Sequence, residues 1–337
     1  MSAALPVDVV TGFLGAGKTT LLRRLLALPE LAGAAVLVNE FGEIGLDHLL
    51  LERLDSDVVL LKSGCVCCTV RGDLKAAIEG LLGRRARGEI VFDRVAIETT
   101  GLADLTPVLA TIASDAALKR RLALGSVVCV VDALNGAETL HAHEVSLRQA
   151  AAADRIVISK IDLASAETTA ALEARLRALN PAAEILPLDA AFAPPRFWLG
   201  RAADRPVSRW IATSPTIEPG HGARAFLLEA DRPLDWARFG LWLSMLLNRH
   251  GDDILRLKGT VEIDGVDGPV CIQGVQRVVH APEHLDRWPS DERRSRLVVI
   301  ARGVDPDRVR RSFRAFNGLA EESGAAMRQS ASAQILG

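Results

Sequence analysis

Residues 11–20 read TGFLGAGKTT, in which Gly12, Gly17, Lys18 and Thr19 satisfy the pattern G-x-x-x-x-G-K-[ST]. Glycines at this spacing let consecutive backbone N–H groups turn inward toward anionic oxygens, and a helix starting at the lysine adds its positive end. The pattern therefore predicts a phosphate cradle built from Gly15, Ala16, Gly17, Lys18, Thr19 and Thr20. Lys18 would reach the outer phosphates of a nucleotide and the Thr19 hydroxyl would hold Mg²⁺. The flanks agree: Val7-Asp8-Val9-Val10 reads as a strand entering the loop, and Leu21-Leu22-Arg23-Arg24-Leu25-Leu26 as an amphipathic helix leaving it.

At 337 residues the chain exceeds the size at which a single core stops growing, so two domains are expected. A formal net charge of -2 gives no general attraction to nucleic acid or to an anionic membrane, and neither is expected as a partner. No apolar run approaches the ~18 residues that would span a bilayer, and no signal-like start is present, so a soluble, cytoplasmic protein is expected. Of the five cysteines, three stand within positions 65–68. That clustering is unlike a secreted disulfide framework and reads as thiols kept reduced.

Working outward from the loop, β-rich apolar runs alternate with helical patterns as far as about Asp189. Strands are predicted at 7–10, 35–38, 58–61, 94–97, 126–131, 155–158 and 184–188, and helices at 19–27, 72–87, 105–111, 144–153 and 164–179. This alternation predicts an α/β fold, a P-loop parallel sheet with helices on both faces. Positions 193–222, rich in Pro, Trp and Arg, read as a linker. Beyond it the predicted order is strand 225–229, helix 235–249, strands near 255–263, 269–280 and 296–301, and helix 305–317. That order predicts a small α+β domain with an antiparallel sheet. The domains are thus 1–192 and 223–320, and the Ala- and Ser-rich 321–337 has little to bury.

Two further motifs narrow the nucleotide chemistry. Glu98-Thr99-Thr100-Gly101 follows the fourth predicted strand, where GTPases of this fold usually carry D-x-x-G. Glu98 can support Mg²⁺ and the Gly101 N–H can meet the γ-phosphate, which makes the segment a switch; the competing account is a plain strand-to-loop turn. Ser159-Lys160-Ile161-Asp162 corresponds to the guanine reader N-K-x-D with Ser in place of Asn. The Asp162 carboxylate can accept from guanine N1–H and N2–H₂, whereas adenine would leave it unpaired, and Lys160 would lay its stem along the base. Ser159 reaches toward the phosphate loop with a shorter arm than Asn, and a helix cap at Asp162 is the rival account. Leu102 stands where some GTPases place a water-orienting glutamine, so slow intrinsic hydrolysis is expected.

Between these motifs lies Gly64-Cys65-Val66-Cys67-Cys68. Thiols two and three apart in an extended loop can converge on one borderline cation, and Zn²⁺ fits best. Adjacent Cys67 and Cys68 cannot both point into one core from a strand, which argues against buried structural cysteines. Glu40 and Glu43 compete for the fourth ligand position, with Glu43 preferred. His141 and His143 read as solvated, and Cys129 and Cys271 as core residues.

The motifs TGFLGAGKTT, NEFGEIGLDHLLL, GCVCC, IETTGLADLTP, VVDALNG and SKIDL, with LRLKGTVEI, IQGVQRVVHAP and RRSRLVVI further on, resemble the CobW-type GTPases, a family of zinc-regulated or zinc-transferring metallochaperones. The resemblance spans about residues 7–319. It implies a Mg²⁺-dependent GTPase that binds Zn²⁺ or a related ion at Cys65, Cys67 and Cys68 and delivers it to a client metalloprotein. By the same motifs, Lys18, Thr19 and Glu98 serve catalysis, Gly101 senses the γ-phosphate, and Lys160 and Asp162 read guanine. Homo-oligomerisation stays open. The chain departs from many relatives in lacking a His-rich stretch between the domains, where only His221 occurs, and from some in carrying Val38 in place of an acidic residue. Rival functions are an ATP-dependent phosphotransferase and a metal sensor that hardly hydrolyses nucleotide.

Overall fold

The computed structural model describes residues 4–31, 33–40, 58–62, 69–192, 222–288 and 293–319. Cys65, Cys67, Cys68 and Glu43, the predicted linker up to His221 and the tail lie outside the described residues.

In the first half, strands β1 (Leu5–Thr11), β2 (Ala34–Glu40), β3 (Val58–Lys62), β4 (Arg94–Glu98), β5 (Leu122–Asp132), β6 (Arg155–Ser159) and β7 (Glu184–Pro187) form one sheet in the order β3-β2-β4-β1-β5-β6-β7. Every pairing in it is parallel. Parallel strands need long crossovers, and these are the helices α1 (Lys18–Leu26), α2 (Thr69–Ala86), α3 (Leu105–Ser114), α4 (Gly136–Ala142), α5 (Glu144–Ala152) and α6 (Ala166–Leu179). The two-residue alternation of the strands divides the core. Val10, Val36, Val128 and Val130 meet Leu21, Leu22 and Leu25 of α1 on one face. Val7, Val9, Leu37 and Ile97 meet α2 and α3 on the other, through Ile78, Leu81, Val108 and Leu109.

All seven predicted strands are present. Helix α6 starts two residues later than the sequence pattern suggested, because the Ser165 side chain accepts from Thr168 N and caps it. The short α4 was not expected.

The second half carries β8 (Ala223–Ala230), α7 (Trp236–His250), β9 (Ile254–Val261), β10 (Val270–Val275), β11 (Val278–Val279), β12 (Glu283–His284), β13 (Ser295–Arg302) and α8 (Pro306–Phe316). Its antiparallel sheet runs β11-β10-β9-β13-β8, with β12 beside β10. The single strand expected at 269–280 is instead a hairpin. Gln276, at φ 50°, turns the chain back on itself, and Gly274 pairs with Val279. Helices α7 and α8, capped by Asp235 and Asp305, cover one face with Phe239, Trp242, Leu246 and Phe313.

The other face of this sheet packs on the first half: Leu255, Cys271, Val298 and Ile300 join Leu147, Ala150, Leu172 and Leu176 in one apolar cluster. At this junction Arg256 and Lys258 of β9 both reach Asp154 Oδ1, at 2.6 and 2.8 Å, with all three side chains at most 3% exposed.

Candidate nucleotide and metal site

Strand β1 lies at the centre of the sheet between β4 and β5, so its carboxyl end opens beside theirs, where α/β sheets place ligands. The chain leaves β1 through Gly12, whose φ of 138° and approach to the Val130 carbonyl exclude any side chain: a Cβ would lie 2.2 Å from that oxygen. It re-enters regular structure at Gly17, which caps α1 in the left-handed conformation. Between them Gly15 is exposed and Ala16 is buried, and Thr20 faces solvent from the first turn of α1.

Lys18 is buried at the start of α1, and its ammonium curls round the loop to donate to the Phe13 carbonyl at 3.1 Å. Thr19, one residue on, donates from its hydroxyl to Glu98 Oε1 at 2.6 Å. Residues 79 positions apart are brought together because β1 and β4 pair in register, Val10 opposite Glu98. The register is locked further by Thr99, whose hydroxyl donates to Thr11 Oγ1 at 2.9 Å. The resulting hydroxyl–carboxylate pair is a hard-oxygen donor set of the kind Mg²⁺ prefers.

Past Glu98 the chain turns at Gly101, buried against the phosphate loop. A Cβ there would come 2.5 Å from Leu14 N, so glycine is the residue that allows this approach. The adjacent Leu102 is 58% exposed, as is Leu14. The turn is held from behind by Gln149 of α5, whose side-chain amide donates to Gly101 O at 3.2 Å and Ala103 O at 3.1 Å. Sequence reasoning missed Gln149; a buried glutamine on a helix carries no motif, and only the tertiary packing reveals its task.

On the far side of the loop, Ser159 ends β6 and donates to the Ala16 carbonyl at 2.6 Å. The short serine arm therefore suffices to tie this strand end to the phosphate loop. Lys160 follows in the left-handed conformation, φ 55°, and pairs with Asp132 at the end of β5. Asp132, also missed from sequence, accepts from Leu134 N at 2.7 Å and Asn135 N at 3.2 Å. Burial opposes its ionisation, but Lys160 and the two N–H groups outweigh burial and hold its pKa below the ordinary value. Asp162 sits in a short 3₁₀ turn and is exposed; the helix cap is Ser165, so Asp162 is not consumed as one.

The remaining sequence candidates divide clearly. Cys129 and Cys271 are buried, and burial pushes their thiols up to about 12 and about 11, which makes them inert packing groups. His141 and His143 are exposed, and His143 stacks on Phe13 of the phosphate loop with ring centroids 4.5 Å apart. Among the described residues no group of three His, Cys, Asp or Glu side chains could hold a metal, and no helix is long and apolar enough to cross a membrane.

The nucleotide-binding domain model of the CobW/HypB/UreG family matches residues 6–187, and the cobalamin synthesis protein cobW C-terminal domain matches residues 223–317. The zinc chaperone YjiA of Escherichia coli is 33% identical over 92% of this chain and 98% of its own length. The zinc chaperone CobW of Pseudomonas aeruginosa is 33% identical over 93% of this chain and 91% of its own. The zinc-regulated GTPase metalloprotein activator 1 of Schizosaccharomyces pombe is 36% identical over 54% of this chain and 45% of its own. The crystal structure of the Zn(II)-bound YjiA GTPase superposes with a TM-score of 0.70 at 27% identity, covering 94% of this chain and 99% of that one. With a nucleotide-binding domain and a C-terminal domain both matched, the chain belongs to the CobW/HypB/UreG family.

Proposed function

We propose that the chain is a GTP-hydrolysing metallochaperone, which holds Zn²⁺ or a related divalent ion at Cys65, Cys67 and Cys68, with Glu43 as the fourth ligand, and passes it to a client metalloprotein. The observation that carries this reading is the gathering of Lys18, the Thr19–Glu98 pair, Gly101 and the Ser159–Asp162 turn at one end of the parallel sheet. Backbone N–H groups of residues 12–17 would bind the phosphates, with Lys18 exchanging its Phe13 carbonyl for phosphate oxygens. Thr19 and Glu98 would hold Mg²⁺, which when bound neutralises charge on the outer phosphates. Asp162 would accept from guanine N1–H and N2–H₂, and Lys160, placed by Asp132, would support the base plane. Leu102 offers no group to orient water, so turnover is slow until another residue or a partner completes the site.

The cargo half of the proposal draws on the names of the relatives, zinc chaperones and a zinc-regulated GTPase metalloprotein activator. It also draws on topology. Strands β2 and β3 run parallel to β4, with Glu40 opposite Lys62 and Val38 opposite Glu98, so the last described residues before Glu43 and before the three cysteines stand at the same carboxyl edge of the sheet as Glu98. In this reading residues 1–192 hydrolyse nucleotide and 223–320 serve the client, in a reducing compartment such as the cytoplasm.

Phosphate release from Mg²⁺–GTP and Mg²⁺–ATP, paired with Zn²⁺ titration against a chelator, tests both halves. Lys18→Ala should lower GTP turnover at least about 100-fold. The double change Cys67→Ser, Cys68→Ser should abolish tight Zn²⁺ binding and leave GTP binding intact. Equal turnover of ATP, or undiminished Zn²⁺ affinity without the thiols, would refute the corresponding half.

A further inference from the structure

The buried amide of Gln149 is one end of a chain of contacts that leaves the nucleotide site. It grips Gly101 O and Ala103 O, the two carbonyls that bracket the exposed Leu102. One residue on, Asp104 caps α3 by accepting from Thr106 N at 2.8 Å, and the Thr106 hydroxyl donates to the same carboxylate at 2.7 Å. The same hydroxyl also meets Gln276 Oε1, 170 positions away at the turn between β10 and β11, so its one proton is shared between the Asp104 carboxylate and the Gln276 amide oxygen.

Gln276 is buried and left-handed, φ 50°, which fixes the turn against the start of α3. Its neighbour Val275 is 3% exposed and belongs to the first half's apolar cluster with Leu105, Val108 and Ala152. Arg277, on the other side, pairs with Asp252 at 2.8 and 2.7 Å and donates to Asn248 O at 3.1 Å near the end of α7. The hairpin tip is thus clamped between the switch helix α3 and the helix that covers the second sheet.

We propose that Gln149 and the Thr106–Gln276 contact form a relay by which the position of Gly101 sets the packing of the β10–β11 turn, so that the second domain reports which nucleotide the first has bound. The inference rests on the reading that Gly101 meets the γ-phosphate. If the Gly101 N–H advances toward a phosphate, its peptide and the Ala103 carbonyl shift relative to Gln149. The cap at Asp104, rigidly joined to α3, moves with them. Such a change requires the two nucleotides to differ in their interaction with this turn, and two hydrogen bonds from a buried amide supply a difference of the needed size. Gln149 is a positioning residue: it touches the switch backbone and no substrate.

Hydrogen exchange of residues 270–279 in the full chain, loaded with a non-hydrolysable GTP analogue or with GDP, tests the relay. Exchange at the turn should differ severalfold between the two states. Thr106→Val should erase that difference while leaving GTP turnover in place, and Thr106→Ser, which keeps the hydroxyl, should restore it. Gln149→Leu should narrow the preference for GTP analogue over GDP about tenfold. A chain that binds and hydrolyses GTP but exchanges identically at 270–279 in both states overturns the relay, as does an undiminished difference in Thr106→Val. A chain that binds no guanine nucleotide instead removes the underlying reading of the site.

Discussion

His280, at the end of β11, shows how a single side chain can set a pH limit on this molecule. Burial, reinforced by Arg256 and Lys258 and opposed by Asp154, pushes its imidazole from 6.5 down to about 4. Above pH 6.5 the ring is neutral in both folded and unfolded chains and has no pH-linked effect. As the pH falls from 6.5 toward 4, the unfolded chain takes up a proton that the folded one refuses, and stability drops by up to about 3 kcal/mol. Denaturant titrations across that window should show a drop in the native chain that exceeds the drop in His280→Asn by up to about 3 kcal/mol; parallel curves would remove the effect. The same scale separates what was legible in the sequence from what was not. Lys18, Thr19, Glu98 and Lys160 could be nominated because phosphate and base chemistry require fixed residue types at fixed spacing along the chain, and the fold gathers them at one end of the parallel sheet. Asp132 and His280 lie inside stretches that carry the family resemblance, but their tasks, like that of Gln149, depend on partners brought in by the fold: Lys160 lies 28 positions from Asp132, Gly101 lies 48 positions from Gln149, and Arg256, Lys258 and Asp154 surround His280 at a junction of two sheets.

At the level of elements, the parallel sheet was readable strand by strand because strands buried on both faces are continuous apolar runs, and each is bounded by a loop or a cap. The β10–β11 hairpin was not, since Gln276-Arg277 carries none of the Gly or Asn signals of a tight turn and the flanking valines read as one strand. The strand ends, more than the helices, assemble the site: β1 delivers the loop, β4 delivers Glu98, and β6 delivers Ser159. The Ser159–Ala16 hydrogen bond is the link between the last of these and the first. Ser159→Ala removes a bond with a net worth of about 1 kcal/mol, so the Kd for GDP should rise about fivefold by calorimetry. An unchanged Kd would mean that the loop and the Ser159–Asp162 turn are held in place independently.

On the scale of the whole molecule, β9 alternates Leu255, Arg256, Leu257 and Lys258, a pattern that ordinarily marks a solvated face. Here both faces are covered, and the two cations share the Asp154 carboxylate across the junction of the sheets. Asp154 also accepts from Val127 N at 3.0 Å, so one carboxylate serves β5 and β9 together. Removing it buries two like charges without their common counter-ion. Asp154→Ala should therefore destabilise the chain by about 3–5 kcal/mol in chemical denaturation, and a loss below 1 kcal/mol would show that water reaches the junction. The shared carboxylate has an evolutionary corollary. Because each half supplies part of the other's interior, neither is a cassette that recombination can lift out and graft elsewhere unaltered. A descendant that shed its second half would have to re-engineer the flank of α5 and α6, replacing Leu147, Leu172 and Leu176 with residues that tolerate water.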